Sequence, residues 1–254
     1  MSACKIYDSS PSNWEELQRF TAHILSECGF DTEIEKEIET VRGKVEVDVY
    51  AESKTAFESK IIFECKYWQS TIPQTVIHAF RTIINDSGAD HGYIISKAGF
   101  QKGAYEASSK SNISILDWGQ FQERFKMEWL RQVIERNYKT GRELMRLSHD
   151  IVTAWHNGLL RFDDAEMTDF YEKKESDFNF FTFKEHYLDI ENYEISYAQI
   201  DSSISSFQRR QSVSFASYRD FFNTIHSECT EIIDGWKTLL SGIKGHLLNT
   251  KSLK

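Results

Sequence analysis

Proline and cysteine are scarce in this sequence, with two of the first and four of the second among 254 residues. With so little proline, no stretch reads as a proline-rich linker or any other low-complexity segment. The cysteines, Cys4, Cys28, Cys65 and Cys229, show neither CxxC nor CxxxC spacing. Their scatter argues against a zinc site and a disulfide framework, and it fits a reducing, cytoplasmic setting. No apolar window is long enough for a membrane span, and the opening MSACKIYDSS lacks the apolar stretch of a secretion signal. The histidines lack HExxH spacing. No repeat with a period of about twenty to fifty residues recurs, which excludes a solenoid. An excess of positive charge is missing too: 30 Lys and Arg face 39 Asp and Glu, a formal net charge of -9. A nucleic-acid surface would therefore have to be a local patch, and non-specific binding should be weak without a metal ion or a partner.

What is present begins with a helix. Trp14, Leu17, Phe20, Thr21, Ile24, Leu25 and Cys28 form one stripe at helical spacing, with Ser12 or Asn13 as N-cap, Glu15 and Glu16 in the first turn and Gly29 as the stop. Thr32–Val41 alternates as a half-exposed strand, and Arg42-Gly43-Lys44 turns it into a second strand over Val45–Ala51. A third strand, Lys60–Lys66, follows a polar loop. Pro73 opens a helix to about Ser87 whose apolar face is Val76, Ile77, Phe80, Ile83 and Ile84. Gln74, His78, Arg81 and Asn85 share its other face. A short buried strand (Gly92–Ser96), a small-residue helix to about Lys110 and a last strand (Ile113–Leu116) complete the series. Three strands in a meander followed by strand–helix–strand predict a mixed sheet with a parallel crossover.

The stretch from Val45 to Lys66 carries the chemistry. By the period of two, Glu46, Asp48 and Tyr50 share a face opposite Val45, Val47 and Val49, and Glu64 and Lys66 share a face with Ile62. Charged groups on adjacent, otherwise apolar strands are costly unless they pair or hold an ion. Asp48 and Glu64, with the carbonyl of residue 65 and water, suit a hard oxygen-ligated ion such as Mg²⁺. The competing reading is an ordinary salt-bridged strand pair.

The order of elements, with Asp48 in VEVDVYA, Glu64 and Lys66 in FECKYW, and the stretches FRTIINDSGADHGYIISKAGF and ISILDW after them, resembles the PD-(D/E)xK nuclease superfamily, and within it the Mrr-like restriction endonucleases. The likeness covers residues 14–120, and Val47 stands where the family name has proline. It implies an α/β fold with a restriction-endonuclease-like α-β-β-β-α-β core over residues 1–118. It further implies a Mg²⁺-dependent endonuclease acting on DNA, with Mn²⁺ able to substitute, used against foreign DNA. By that resemblance Asp48 and Glu64 are metal ligands, assisted by Glu15 or Glu16, with Glu16 preferred because it lies nearer the buried stripe. Lys66 orients the attacking water and stabilises charge on the phosphate.

Gln74, His78 and Arg81 on the neighbouring helix, and Lys97 and Lys102 at the ends of the fourth strand and the next helix, are the candidate DNA contacts. A solvated helix face is the competing account of the first three, and surface solubility that of the two lysines. Tyr67 and Trp68 read as packing residues. Two other functions compete: a structure-specific, junction-resolving nuclease, and an inactive nuclease fold serving as a binding module.

Residues 119–254 read as a helical domain for oligomerisation, sensing or partner binding, with helices at Trp118–Tyr138, Arg142–Leu160, Asp164 to about Phe181, and Ser214–Leu248. Thr182–Arg210 carries no clear period, and Ile200–Phe207 fits helix or loop. Basic residues from Arg124 to Arg146 interleave with glutamates, as on a solvated helix with i,i+4 pairs. Trp129, Trp155, Phe180, Phe181, Phe183 and Trp236 suit a core or a subunit interface, and a homodimer is expected. Glu185-His186 shows no ligand spacing.

Overall fold

The structure is a computed structural model that describes residues 5–53, 58–163, 165–166, 168–170, 188–189, 194–195 and 197–251. The chain divides into two compact units, Met1–Gln132 and Val133–Lys254.

The first unit opens with α1 (Trp14–Glu27). The Asn13 side chain accepts the Glu16 amide at 2.7 Å, and the Glu16 carboxylate reaches back to the Ser12 amide at 2.8 Å. These exchanges satisfy orphan donors at the helix start, the logic of a capping box. Gly29, at φ 90°, closes the other end in the left-handed region that a Cβ resists. There follow β1 (Asp31–Thr40), β2 (Gly43–Ser53), β3 (Ser59–Lys66), α2 (Gln74–Ser87), β4 (His91–Ser96), α3 (Lys102–Ser108) and β5 (Ile113–Asp117). The five strands form one sheet in the order β1-β2-β3-β4-β5. The first two pairings are antiparallel, and β3–β4 and β4–β5 are parallel. The fold is the mixed α/β sheet that the element order predicted, with helices following in the second unit.

Alternation along β3 assigns the two faces of the sheet. Ile62 joins a buried cluster with Ile77, Phe80 and Ile84 of α2 and Ala104 of α3. Phe63 points the other way and stacks on Tyr93, ring centroids 4.9 Å apart, beneath Phe121 and Phe125. The Thr21 hydroxyl of α1 meets the Cys65 thiol on that second face. A helix layer therefore covers each face, and both faces of β3 and β4 are apolar, as buried parallel strands require. At Gly92 a Cβ would come within 2.6 Å of the Phe80 ring, so glycine is what lets α2 lie directly on β4.

The alternation expected for β2 does not run through. Val47 and Tyr50, of opposite parity, both join the cluster beneath α2. The reversal falls at Asp48. Across from it Glu35 sits at φ 52°, a left-handed conformation that costs a non-glycine residue about 1–2 kcal/mol.

Helix α4 (Trp118–His156) begins in the first unit, where Asp117 and Gln120 exchange side-chain and main-chain bonds at its start. Its first turns bury Phe121, Phe125 and Trp129, and the Trp129 indole donates to Glu27 at 2.8 Å. That packing is why the compact unit extends past residue 118 to Gln132.

The second unit holds the rest of α4, a two-residue ladder of β6 (Leu188–Asp189) with β7 (Glu194–Ile195), α5 (Tyr197–Gln211) and α6 (Tyr218–Lys251). The break expected between Tyr138 and Arg142 is absent, and α4 runs on through Gly141. A glycine inside a helix costs about 1 kcal/mol, which the neighbouring buried Leu144, Leu147 and Ile151 outweigh. Arg136 donates to Asn223 at 2.9 Å and Lys237 pairs with Glu143 at 2.8 Å, tying α4 to α6. The stretch left open at Ile200–Phe207 is helical, with Ile200, Ile204 and Phe207 buried. Trp236 is buried, whereas Trp155 is 38% exposed. Of the helix expected over 164–181, residues 165–166 and 168–170 are helical, and Phe180, Phe181, Phe183 and Glu185-His186 lie outside the described residues.

Candidate functional site

The site forms where β2 and β3 part. Their ladder ends at Val49↔Phe63, and one step further the same register sets Asp48 opposite Glu64. The Asp48 carboxylate occupies the place of the missing strand partner. Its Oδ2 accepts the Cys65 amide at 2.6 Å, and its Oδ1 accepts the Gln18 side-chain amide of α1 at 3.0 Å. Glu64 and Lys66, two residues apart on β3, form an ion pair with both side chains about four-fifths covered.

The electrostatics single out this cluster. The Glu64 carboxyl is pushed above its ordinary value, first by burial and then by the Asp48 charge, with Lys66 pulling the other way. The Cys65 thiol behind it is pushed well up by burial and by Asp48, so it is a packing residue. Lys66 pairs with Glu64, and Asp48, held by Gln18 and the Cys65 amide, adds a second carboxylate beside them, so the three groups together carry a net negative charge in partly desolvated surroundings. A divalent cation matches that donor set: hard oxygen ligands, a net negative charge and a polar surround. Among the described residues no third His, Cys, Asp or Glu joins the pair.

Glu16, the expected helix acid, is occupied elsewhere. Its carboxylate takes the Ser12 amide and hydroxyl and pairs with Arg19 at 3.1 Å. Those Ser12 bonds hold its carboxyl below the usual value. From α1 it is Gln18, 5% exposed, that reaches Asp48. The sequence carried a signal for it: Gln18 stands four residues after Trp14 and three before Thr21, a polar residue inside an apolar stripe.

The expected DNA contacts scatter. Gln74 is exposed at the start of α2, where a Cβ on Gly103 would come within 2.8 Å of its Oε1. His78 is exposed. The Arg81 guanidinium donates to the Ala107 carbonyl, bracing α2 against α3. Lys97 is closer to the cluster: its amide bonds the Lys66 carbonyl at 3.1 Å, and its Nζ lies 4.1 Å from the Tyr67 ring centre. Lys102 is exposed and pairs with Glu106 at 3.9 Å. Trp68, read as a packing residue, is 43% exposed, with Lys66 Nζ 5.8 Å from its ring centre.

Residues 10–125 match the family model described as "Restriction endonuclease", Mrr_cat. Among solved structures, similarity is found to the crystal structure of a protein of unknown function, AF1548. Identity there is 14%, coverage 88% of this chain and 100% of that one, and the TM-score 0.38. The MspJI restriction endonuclease in complex with a 27-mer oligonucleotide is 15% identical over 46% of this chain and 28% of its own, with a TM-score of 0.30. No curated protein matches.

Proposed function

We propose, from the premise that residues 10–125 belong to the Mrr-type restriction endonuclease family, that the protein is a metal-dependent endonuclease cutting DNA and serving in defence against foreign DNA. The observation that carries this reading is the convergence of Asp48, Glu64 and Lys66 where β2 and β3 part.

In this reading Asp48 and Glu64 hold a Mg²⁺ ion, which Mn²⁺ can replace. When bound, the ion supplies a polarised phosphate and an acidified water. The residues do the rest. Glu64, made reluctant to ionise by burial and then by the Asp48 charge, gains from any cation that offsets both. Lys66 places its ammonium group beside the reacting phosphate, where a positive charge opposes the negative charge that develops. Gln18 and the Cys65 amide hold the Asp48 carboxylate in one orientation, so little reorganisation remains when ion and substrate arrive. Lys97 and Tyr67 flank the site as a backbone-contacting edge, a role for which Arg81, committed to Ala107, is poorly free.

A double-strand break requires two such sites, and closed twofold dimers are the commonest way to supply them. We therefore expect a homodimer held through residues beyond 118, with a monodisperse monomer in light scattering as the contrary result. The function itself is tested by incubating supercoiled plasmid with Mg²⁺ or with chelator, using wild type and Lys66→Ala. Cleavage only by wild type with Mg²⁺ supports the reading. Equal plasmid loss in the Lys66→Ala variant, or none in wild type, counts against it.

A further inference from the structure

Asp48 is unpaired on both flanks of its strand. Towards β1 the antiparallel ladder runs from Asp31↔Glu52 to Thr40↔Gly43 in one register, with a single omission between Ile34↔Val49 and Lys36↔Val47. The omitted pair is Glu35 and Asp48. Towards β3 the ladder stops one residue short of Asp48. Both gaps meet at the residue whose carboxylate bridges to the Cys65 amide.

A gap of this kind has a backbone cause. Glu35 adopts φ 52°, which turns its own peptide groups out of the ladder. Its side chain is exposed and makes no hydrogen bond or ion pair among the described residues, so nothing local to the side chain demands that conformation. Residues before and after it keep the same register, so no extra residue has been accommodated as a bulge would. Strain of this kind persists where the surrounding structure requires it, and it gathers at functional sites. What lies across from it is Asp48, where the alternation of β2 reverses between Val47 and Tyr50.

We infer that Glu35 is a positioning residue. Its left-handed backbone holds the β1–β2 ladder open at Asp48, and so lets the Asp48 carboxylate turn across β3 onto the Cys65 amide. A regular pair at this position would commit Asp48 to the strand's normal alternation, away from that amide. The inference deepens the nuclease reading, because the group being aimed is the metal-holding carboxylate.

The test is amide hydrogen exchange resolved at Cys65, in metal-free protein without DNA. Glu35→Val places a β-branched residue that strongly resists positive φ, and Glu35→Gly adopts it freely. Wild type and Glu35→Gly should protect the Cys65 amide equally, while Glu35→Val should exchange it at least about ten-fold faster with the Phe63 amide unchanged. Mn²⁺ affinity by calorimetry should fall with Glu35→Val and return with Glu35→Gly. Equal Cys65 protection in all three, or lost protection in Glu35→Gly, would overturn the inference. Should Glu35→Val not fold, Glu35→Ala, which also resists positive φ but less strongly, replaces it, with faster Cys65 exchange than in Glu35→Gly supporting the inference and equal exchange overturning it. Failure of wild type to cleave plasmid would remove the nuclease reading and leave the aiming of Asp48 standing.

Discussion

The two units differ in one use of charge, although both carry exposed surface pairs such as Lys102 with Glu106 and Arg146 with Asp150. In the second, charged side chains lie on helix surfaces as i,i+4 or cross-helix pairs: Lys139 with Glu135, Arg146 with Asp150, Lys237 with Glu143, all at least a third exposed. Water screens such pairs, and they contribute little. In the first unit Glu64 and Lys66 stand on a strand with both side chains about four-fifths covered, beside the half-buried Asp48, and Glu64 feels that burial and those neighbours. The same residue types form screened surface pairs at one place and a covered, coupled cluster at the other. What separates them is the solvent around them.

Six substitutions sharpen that contrast. The largest effect is on activity: Lys66→Ala should lower plasmid cleavage by about 10²–10³-fold, the usual cost of deleting one charge-stabilising donor, while the protein stays folded by circular dichroism. Next comes packing, where both units should behave alike. Phe63→Ala in the first and Phe222→Ala in the second remove fully buried rings and should each cost about 3–5 kcal/mol in urea titrations. A marked inequality would show that one unit relaxes around its cavity.

Smaller is a pH effect, with opposite signs at two acids. Glu64 binds its proton more tightly when folded, so its contribution is fully present below the ordinary value of 4.5 and is lost as pH rises through the higher folded value. Metal-free protein should therefore lose melting temperature over that rise, and Glu64→Gln should flatten the loss. Glu16 is lowered by its Ser12 bonds, so its contribution is present above 4.5 and lost as pH falls through the depressed value. Glu16→Gln should reduce acid sensitivity below 4.5 and leave the neutral range alone. Smallest is Arg146→Ala, whose exposed pair with Asp150 should be worth under about 0.5 kcal/mol. A larger cost would mean the second unit also hides a charge that matters.

The assignment of residues to elements was readable because it depends on neighbours a few positions away. Stripes at helical spacing, alternation, Asn13 and Gly29 at the ends of α1, and Pro73 and Gly88 around α2 are all local signals. So was the change from meander to crossover, because a parallel pair needs a long connection. Misreadings arose where distant packing outweighs a local cost. Gly141 looks like a break, but buried leucines carry α4 through it.

From the sequence by itself came the acidic pair and the lysine, their strands, and the fold that brings those strands together, because side-chain period and element order are properties of the chain. Only the tertiary structure decided how the pair is served. It put Gln18 on Asp48, 30 residues away, where the first-turn acids had suggested Glu16. It tied Arg81 to Ala107, 26 residues on, instead of leaving it free for phosphate. It also opened the ladder at Glu35. Each of these turns on which side chain or backbone group lies within about 3 Å of another, a distance that hydrogen bonding demands and that linear spacing does not encode.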